Sequence, residues 1–450
     1  MNIYNVVIDD SMIRNMMQTN MDESLDLVTL KQIAYFLLLG VLPSYIVYKI
    51  PLDEMPFKKD IFTRVKVIGL SLVVIVLSIL AFSKHYTSFF REHKPLRYSV
   101  NPAYWIYSIG KYVNATYFKE ELVLKQIGLD AKLHRDADDI KRRVVIMVVG
   151  EAARADHFSL NGYERETNPL LAKQDIINLP NVSSCGTSTA ESVPCMFAVY
   201  GRGDYSYKKG ISTENVVDVL KHTKNIAILW RDNNSDSKGV ALRVPYEGYK
   251  STDVNTICTE GECRDIGMLV GLESFIEKNK DKDIFIVLHQ MGNHGPAYYK
   301  RYTSDFKKFK PVCKTNQLEK CTQQEIANAY DNAILYTDNF LNETINFLKQ
   351  YDKEYNTALI YMSDHGESLG ENGIYLHGLP YFMAPDAQTH IGAFLWLGDG
   401  MKNIFDEKSL RTNAAKEYSQ DNLFHTLLGI FGVESKVYKK DMDILQHGKQ

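Results

Sequence analysis

The sequence predicts an α/β protein, a largely parallel sheet with helices on both faces, preceded by a transmembrane helical hairpin. Three observations lead there. Five short apolar, β-branched runs alternate with helical stretches over the later part of the chain. Two uninterrupted apolar runs, each flanked by lysines, lie near its start. The six cysteines fall into three pairs close in sequence, all beyond the apolar runs. The 450 residues suffice for one large catalytic domain and an anchor. A formal net charge of −3 gives no basic bias, so no nucleic-acid partner is expected.

Taken in order, residues 10–24 are predicted helical. Asp10 is the expected N-cap, and Met12, Ile13, Met16 and Met17 line an apolar side. Asn15, Thr19 and Glu23 stand at i, i+4 and i+8 on another face. Spacing alone makes that face a solvated polar one. The apolar runs follow at about 33–50 and 66–83, with Lys31, Lys49, Lys66 and Lys84 at their ends. Lysine stems at the ends can extend such short spans. The connecting loop carries Lys49, Lys58, Lys59, Arg64 and Lys66, which places it in the cytoplasm. Lys84, Arg91, Lys94 and Arg97 make the other side basic too, so the cysteines decide the topology. Neighbouring cysteines pairing in an oxidising compartment (Cys185 with Cys195, Cys258 with Cys263, Cys313 with Cys321) put both flanks outside the cytoplasm. Residues 1–10 carry neither a basic n-region nor an apolar h-region, so the expectation is that further transmembrane helices precede Met1.

Phe89, Phe90, Tyr98, Tyr104, Trp105, Tyr107 and Tyr112, mixed with Arg91, Lys94 and Arg97, read as a connector lying at the membrane surface. The charged stretch that follows marks a boundary. The expected organisation is a membrane anchor over 1–118, a linker over 119–142 and a catalytic domain over 143–450.

Within that domain the strands are expected at 143–149, 226–230, 283–288, 358–362 and 393–397, with helices near 213–222, 264–279 and 325–350. In such sheets ligands gather beyond the C-terminal strand ends. Glu151 follows the first strand, Arg231-Asp232-Asn233-Asn234 the second, His289 and His294 the third, and Asp364-His365-Gly366-Glu367 the fourth. Two carboxylates and an imidazole converging from separate strand ends make a metal site, and oxygen with imidazole donors suits zinc. Residues 185–195 place small hydroxyl side chains between two cysteines, and 189–200 can begin a helix whose N-terminal end favours a phosphate. A metal would activate one hydroxyl as a nucleophile. The chemistry does not choose among Thr187, Ser188 and Thr189.

Residues 148–200, with Val-Val-Gly-Glu, Phe-Ser-Leu-Asn-Gly-Tyr, Arg-Glu-Thr-Asn-Pro and Ser-Cys-Gly-Thr-Ser-Thr-Ala, resemble the lipid A phosphoethanolamine transferases. So do His-Gln-Met-Gly-Asn-His-Gly-Pro at 289–296 and Ser-Asp-His-Gly-Glu-Ser-Leu-Gly-Glu-Asn-Gly at 363–373. The run Trp-Arg-Asp-Asn-Asn-Ser-Asp-Ser-Lys-Gly-Val at 230–240 looks most like the mobile colistin-resistance branch. The resemblance implies an alkaline-phosphatase/sulfatase-like fold on an inner-membrane anchor, with the catalytic domain in the periplasm. It implies zinc held by Glu151, Thr189, Asp364 and His365, with Thr189 as nucleophile. It assigns Lys238, His294 and His377 to positions that contact the phosphoethanolamine group or a further metal, and Asn15, Thr19 and Glu23 to a headgroup-binding helix. The implied donor is phosphatidylethanolamine, the implied acceptor a lipid A phosphate, and the product one that binds polymyxins less well. A monomer among membrane lipids is expected. The family has five transmembrane helices where this chain shows two. Ser237 and Ala241 stand where some relatives place another cysteine pair. The competing expectations are a truncated remnant that only binds, and a glycerol-phosphate polymer synthase on the same fold; a sulfatase is disfavoured because Cys195 lacks the following Pro and Arg.

Overall fold

The computed structural model describes residues 7–19, 28–51, 56–82, 96, 98, 100–117, 123–135 and 139–448. Glu23, Lys84 and, of the residues expected at the membrane surface, Phe89, Phe90, Arg91, Lys94 and Arg97 lie outside the described residues. The chain forms two compact units, Leu27–Gly110 and Met1–Asp26 with Lys111–Gln450.

Helix α1 spans Asp10–Gln18. Its N-cap is Asp9 rather than Asp10: the Asp9 carboxylate accepts the Met12 N–H at 2.8 Å. Asp10 is instead in the first turn, beside Arg14 one turn on.

The unit Leu27–Gly110 carries two helices long and apolar enough to cross a membrane, α2 over Leu30–Lys49 and α3 over Phe57–Ala81. At about 1.5 Å per residue each covers a hydrocarbon core of about 30 Å. Thr29 and Gln32 close a capping box at the start of α2. Pro43 has no N–H for the carbonyl one turn back, and the residues before it, Phe36–Val41, open into a π turn. Both helices begin before the apolar windows, at 30 and 57 rather than 33 and 66. Hydropathy marks only the apolar stretch, whereas the charged turns ahead of it stay helical, held in α3 by the Asp60–Arg64 pair at 2.9 Å. A further helix, α4, spans Ala103–Tyr117.

The other unit is built on a seven-stranded sheet. In chain order its strands are β1 (Arg143–Gly150), β2 (Ile176–Asn178), β3 (Ile226–Asp232), β4 (Tyr246–Gly248), β5 (Asp283–His289), β6 (Asn356–Ser363) and β7 (Ala393–Leu397). They lie in the order β2-β7-β6-β1-β5-β3-β4. Strands β6, β1, β5, β3 and β4 are parallel, and β7 runs antiparallel to β6. Every residue of β1, β5 and β6 is buried, as expected of strands covered on both faces. Each fully buried Val, Ile or Leu stabilises the fold by about 1.5–3 kcal/mol.

Register positions the site. Ser363 pairs with Gly150, Val149 with His289, and His289 with Asp232. The residues that follow therefore leave one edge of the sheet together. The fifth apolar run, β7, is antiparallel, so its C-terminal end points to the opposite edge and adds nothing there.

Helix α5 covers Thr189–Met196 and the long helix α6 covers Gln323–Lys349, opened by a Thr322–Glu325 capping box. The helix expected over 264–279 is two pieces, Asp265–Leu269 and Leu272–Lys278. Gly271 between them takes φ +77°, a left-handed conformation that interrupts helical hydrogen bonding.

Asp338 on α6 lies deep against residues 170–171, where its two oxygens accept the Leu170 and Leu171 N–H groups at 2.9 and 3.0 Å. Burial outweighs those bonds and pushes its carboxyl up to about 7. The folded state thus holds this proton more tightly than the unfolded chain, whose Asp titrates near about 3.9. The stability contributed by the neutral form is present in full below the unfolded value and is lost as pH rises toward 7. Asp338→Asn removes the titration, at the cost of one of the two accepted N–H bonds. The melting temperature of the variant is expected to gain on that of the unaltered chain between about pH 4 and 7; a constant difference across that range would remove Asp338 as the cause.

Candidate metal and nucleophile site

Glu151, one residue past β1, and Asp364 and His365, just past β6, are fully buried. One ligand atom from each lies within 4.8 Å of the others. The Thr189 hydroxyl, first residue of α5, sits 3.1 Å from Glu151 Oε2 and 3.4 Å from His365 Nε2. The Thr187 hydroxyl instead donates to the Leu379 carbonyl at 2.6 Å, and Ser188 is the N-cap residue. The structure therefore brings Thr189, and not Thr187, to the two carboxylates and the imidazole.

The turn after β1 is held in an unusual conformation. Ala152 takes φ +54°, outside the regions an L-residue prefers. Its N–H donates to Asp364 Oδ1 at 3.1 Å, and its carbonyl accepts the Tyr330 hydroxyl of α6 at 2.6 Å. Such strain persists where surrounding bonds over-determine it. Gly292 lies directly against Glu151: at φ +49° a Cβ there would meet the Glu151 carbonyl oxygen at 3.0 Å. The tight contact admits only glycine without a shift.

The protonation of this cluster follows from its bonds. His365 Nδ1 faces the Gly366 carbonyl at 2.8 Å, which can only accept, so Nδ1 carries the proton. Burial pushes the imidazole down to about 4, so it is neutral at pH 7. Its bare Nε2 then faces Glu151 Oε1 and Asp364 Oδ2, each at 3.4 Å. Asp364 Oδ2 makes no hydrogen bond among the described residues. Lone pairs gathered this way in a dry site repel unless a cation lies among them. Two carboxylates, an imidazole and a hydroxyl are a donor set suited to zinc, so the residues present fit that ion.

A second group lies beside the first. The His377 ring centroid is 4.2 Å from that of His365 and 5.9 Å from that of His294. His377 Nδ1 is 3.3 Å from Glu367 Oε2. Burial raises the Glu367 carboxyl. Lys238, at φ +49°, places its ammonium 3.1 Å from the Gln18 carbonyl at the end of α1 and 3.3 Å from the Ser235 carbonyl. Its loop is closed without cysteines by a 3.2 Å bond from the Ala241 N–H to Ser237 Oγ. Helix α1 packs on α5, and the Thr19 hydroxyl donates back to the Asn15 carbonyl at 2.7 Å. A Cβ at Gly378 would lie 3.6 Å from the Met12 sulfur, so α1 also borders the loop that carries His377.

The cysteines join as neighbours: Cys185–Cys195, Cys258–Cys263 and Cys313–Cys321. The first ties the strand leading to Thr189 to the far end of α5. Sequence reasoning missed the side chain that secures this loop. Gln420, fully buried, accepts the Cys185 N–H at 2.6 Å and donates to the Ser363 and Asp364 carbonyls at 2.7 and 2.8 Å. One amide thus joins the hydroxyl loop to the end of β6, and a lone Gln far away in sequence carries no signal of it. Asn234 was legible only as one of four polar residues after β3. Its amide donates to Glu151 Oε2 at 2.8 Å and to the Gln290 carbonyl at 2.7 Å, which orients the carboxylate.

Comparison with known proteins bears on this arrangement. The sulfatase family model matches residues 143–433, and the phosphoethanolamine transferase EptA/EptB model matches residues 1–117. The phosphatidylethanolamine transferase Mcr-1 of Escherichia coli is 46% identical over 447 residues, covering 97% of this chain and 81% of that protein. The phosphoethanolamine transferase EptA of Escherichia coli strain K12 is 41% identical, covering 98% of this chain and 81% of that protein. The structure of the integral membrane protein lipooligosaccharide phosphoethanolamine transferase A from Neisseria meningitidis superposes with a TM-score of 0.92 at 37% identity, over 100% of this chain and 84% of that one. The sheet and its flanking helices are thus the alkaline-phosphatase/sulfatase-like fold.

Proposed function

The chain belongs to the phosphoethanolamine transferase family, and from that premise we propose that it moves phosphoethanolamine from phosphatidylethanolamine to a phosphate of lipid A through a Thr189-bound intermediate. The observation that carries the reading is the Thr189 hydroxyl against Glu151 and His365 at the N-terminus of α5. Zinc bound by Glu151, Thr189, Asp364 and His365 would supply Lewis-acid charge that lowers the hydroxyl's pKa.

In the first step Thr189 Oγ1 bonds to the phosphorus of the donor. The phosphorus–oxygen bond to diacylglycerol breaks, and the hydroxyl proton ends on the diacylglycerol oxygen. In the second step an oxygen of a lipid A phosphate attacks the same phosphorus, the phosphorus–Thr189 bond breaks, and the proton given up by the acceptor's phosphate hydroxyl ends on Thr189 Oγ1. His377, beside His365, and His294, beside His377, serve the proton transfers. Lys238 stabilises negative charge on the phosphoryl oxygens once its ammonium exchanges the Gln18 and Ser235 carbonyls for substrate. The positive end of α5 favours the same oxygens. Asn15 on α1 and Thr19 at its C-cap bind the donor headgroup, a role that the family resemblance also gives Glu23. The anchor over 1–118 and the linker over 119–142 keep the domain over 143–450 at the periplasmic face of the bacterial inner membrane, and two apolar helices support the anchoring. The chain works as a monomer. The added ammonium lowers the negative charge of the outer leaflet, so polymyxin and colistin bind less well and resistance follows.

Mass spectrometry of lipid A from cells expressing this chain is expected to show species heavier by one phosphoethanolamine, with a rise in the colistin concentration needed to stop growth. Unmodified lipid A from cells that hold the folded, membrane-bound chain would reject the proposal.

A further inference from the structure

Strand β3 ends at Asp232 and strand β5 at His289, and the two residues are partners in the parallel ladder. Partners in a ladder stand side by side on one face of the sheet. Both are buried, Asp232 at 1% exposure and His289 at 0%. His289 Nδ1 lies 2.9 Å from Asp232 Oδ2, and the Trp230 indole N–H donates to the same oxygen at 2.9 Å. Burial pushes the Asp232 carboxyl up, but His289, the indole and the Asn234 N–H together hold it below the usual carboxylate value. An ionised carboxylate only accepts, so His289 Nδ1 carries a proton. His289 Nε2 makes no hydrogen bond among the described residues. The proposed reaction as described uses neither residue.

The second oxygen of Asp232 builds the loop that follows β3. Asp232 Oδ1 accepts the Asn234 N–H at 2.9 Å and the Asp236 N–H at 3.3 Å. Asp236 Oδ1 in turn accepts the Lys238 N–H at 2.5 Å. Asp236 takes φ +111° and Lys238 φ +49°, both unfavourable for a residue with a Cβ. A loop of that shape persists only where surrounding bonds over-determine it. Asp232 supplies two of those bonds from a fixed point on the sheet. The loop carries two working side chains. The Asn234 amide donates to Glu151 Oε2 at 2.8 Å, and the Lys238 ammonium is the charge the reaction needs on the phosphoryl oxygens.

Resting on the transferase reading above, we propose that Asp232 and His289 are a buried pair of positioning residues for the reaction. His289 ties one oxygen of Asp232 to β5. The other oxygen sets the loop that aims Asn234 at Glu151 and presents Lys238 to the phosphoryl group. Both act through the loop and not on the substrate.

The test compares two substitutions of one residue in the full chain. His289→Leu removes the N–H that meets Asp232 and keeps a buried apolar side chain. His289→Asn keeps an N–H where Nδ1 stood, but buries a carbonyl oxygen with no donor to meet it, which costs stability. A role in core stability alone makes the Asn variant the worse of the two, whereas positioning makes it the better. In micelles of phosphatidylethanolamine, His289→Leu is expected to lower kcat for diacylglycerol release about tenfold and leave KM unchanged, because the lost aim of Lys238 is felt in the transition state. Its zinc affinity, measured by chelator competition, is expected to fall about tenfold as Glu151 loses its orientation. His289→Asn is expected to match the unaltered chain in both. His289→Leu behaving like the unaltered chain, or His289→Asn being impaired as much as His289→Leu, overturns the proposal. Trp230→Phe keeps a ring in the core and takes another donor from the same Asp232 oxygen. It is expected to weaken zinc binding too, and unchanged affinity there overturns the pair by a second route that does not depend on the His289 variants folding. In the Asn234→Ala chain, His289→Leu is expected to add little further loss of zinc affinity, since the path through Asn234 is already cut; fully additive losses also overturn it. Failure of the unaltered chain to release diacylglycerol at all would instead reject the transferase reading, and the zinc measurements would still decide the pair.

Discussion

Thr189→Ala is expected to cut phosphoethanolamine transfer by at least about a thousandfold, the scale of losing a nucleophile whose partners act as a unit. The structure makes this a clean substitution. Thr189 opens α5, where alanine has good helical propensity, and Ser188 remains in place as the N-cap residue. Of the hydroxyl's neighbours, Glu151 Oε2 keeps its bond from Asn234 and His365 keeps its Nδ1 bond to the Gly366 carbonyl. The Cys185–Cys195 disulfide and Gln420 still hold the loop. The variant should therefore melt close to the unaltered chain and retain phosphatidylethanolamine while releasing no diacylglycerol. Thr187→Ala supplies the contrast. That hydroxyl donates to the Leu379 carbonyl, so its loss should cost about 1 kcal/mol of stability and leave the covalent step in place. Transfer surviving in Thr189→Ala and lost in Thr187→Ala would reassign the nucleophile.

Asp364→Asn should abolish metal retention with little effect on the surrounding chain. Asp364 Oδ1 accepts the Ala152 and His365 N–H groups at 3.1 and 2.7 Å, and the amide oxygen of asparagine can take over both. The atom replaced by NH₂ is then Oδ2, the one without a hydrogen bond among the described residues. A donor there repels a cation and offers no lone pair to it. We expect zinc content after dialysis to fall from about one equivalent or more to near zero, and affinity to fall by at least about a hundredfold. Added zinc should raise the melting temperature of the unaltered chain and leave that of Asp364→Asn unmoved, because an ion stabilises only the state that binds it. Equal zinc content in the two proteins would remove Asp364 from the ligand set.

The legibility of this chain in its sequence was uneven for reasons that can be named. Continuous Val and Ile runs announced β1 and β5 because the middle of a strand buried on both faces offers no solvent side, which leaves polar residues to its ends, Arg143, Asp283 and His289. The same signal could not show direction, so the run at β7 looked like the others although it is antiparallel. Helix ends were less legible still. Asp9 and Asp10 are equally able to cap, and only backbone geometry distinguishes the one whose carboxylate reaches the Met12 N–H. Gly271 divided an expected helix through its conformation, which periodicity does not report. In the site, a polar residue after each parallel strand was visible as a habit. Which of them point to one another was not.

The sequence by itself determined the two apolar helices, the alternating sheet-and-helix order, the pairing of neighbouring cysteines and the family. Each is local chemistry or a linear pattern: hydropathy over a window, period along an element, short loops that close cheaply, motifs read in order. Only the tertiary structure decided which hydroxyl meets Glu151 and His365, that Gln420 binds the hydroxyl loop to the end of β6, and that Asn234, not Asn233, orients the Glu151 carboxylate. Those facts depend on strand register and on side chains brought together from distant parts of the chain. A register shift of one residue turns every side chain to the other face, and no stretch read alone records which register the packed core selects.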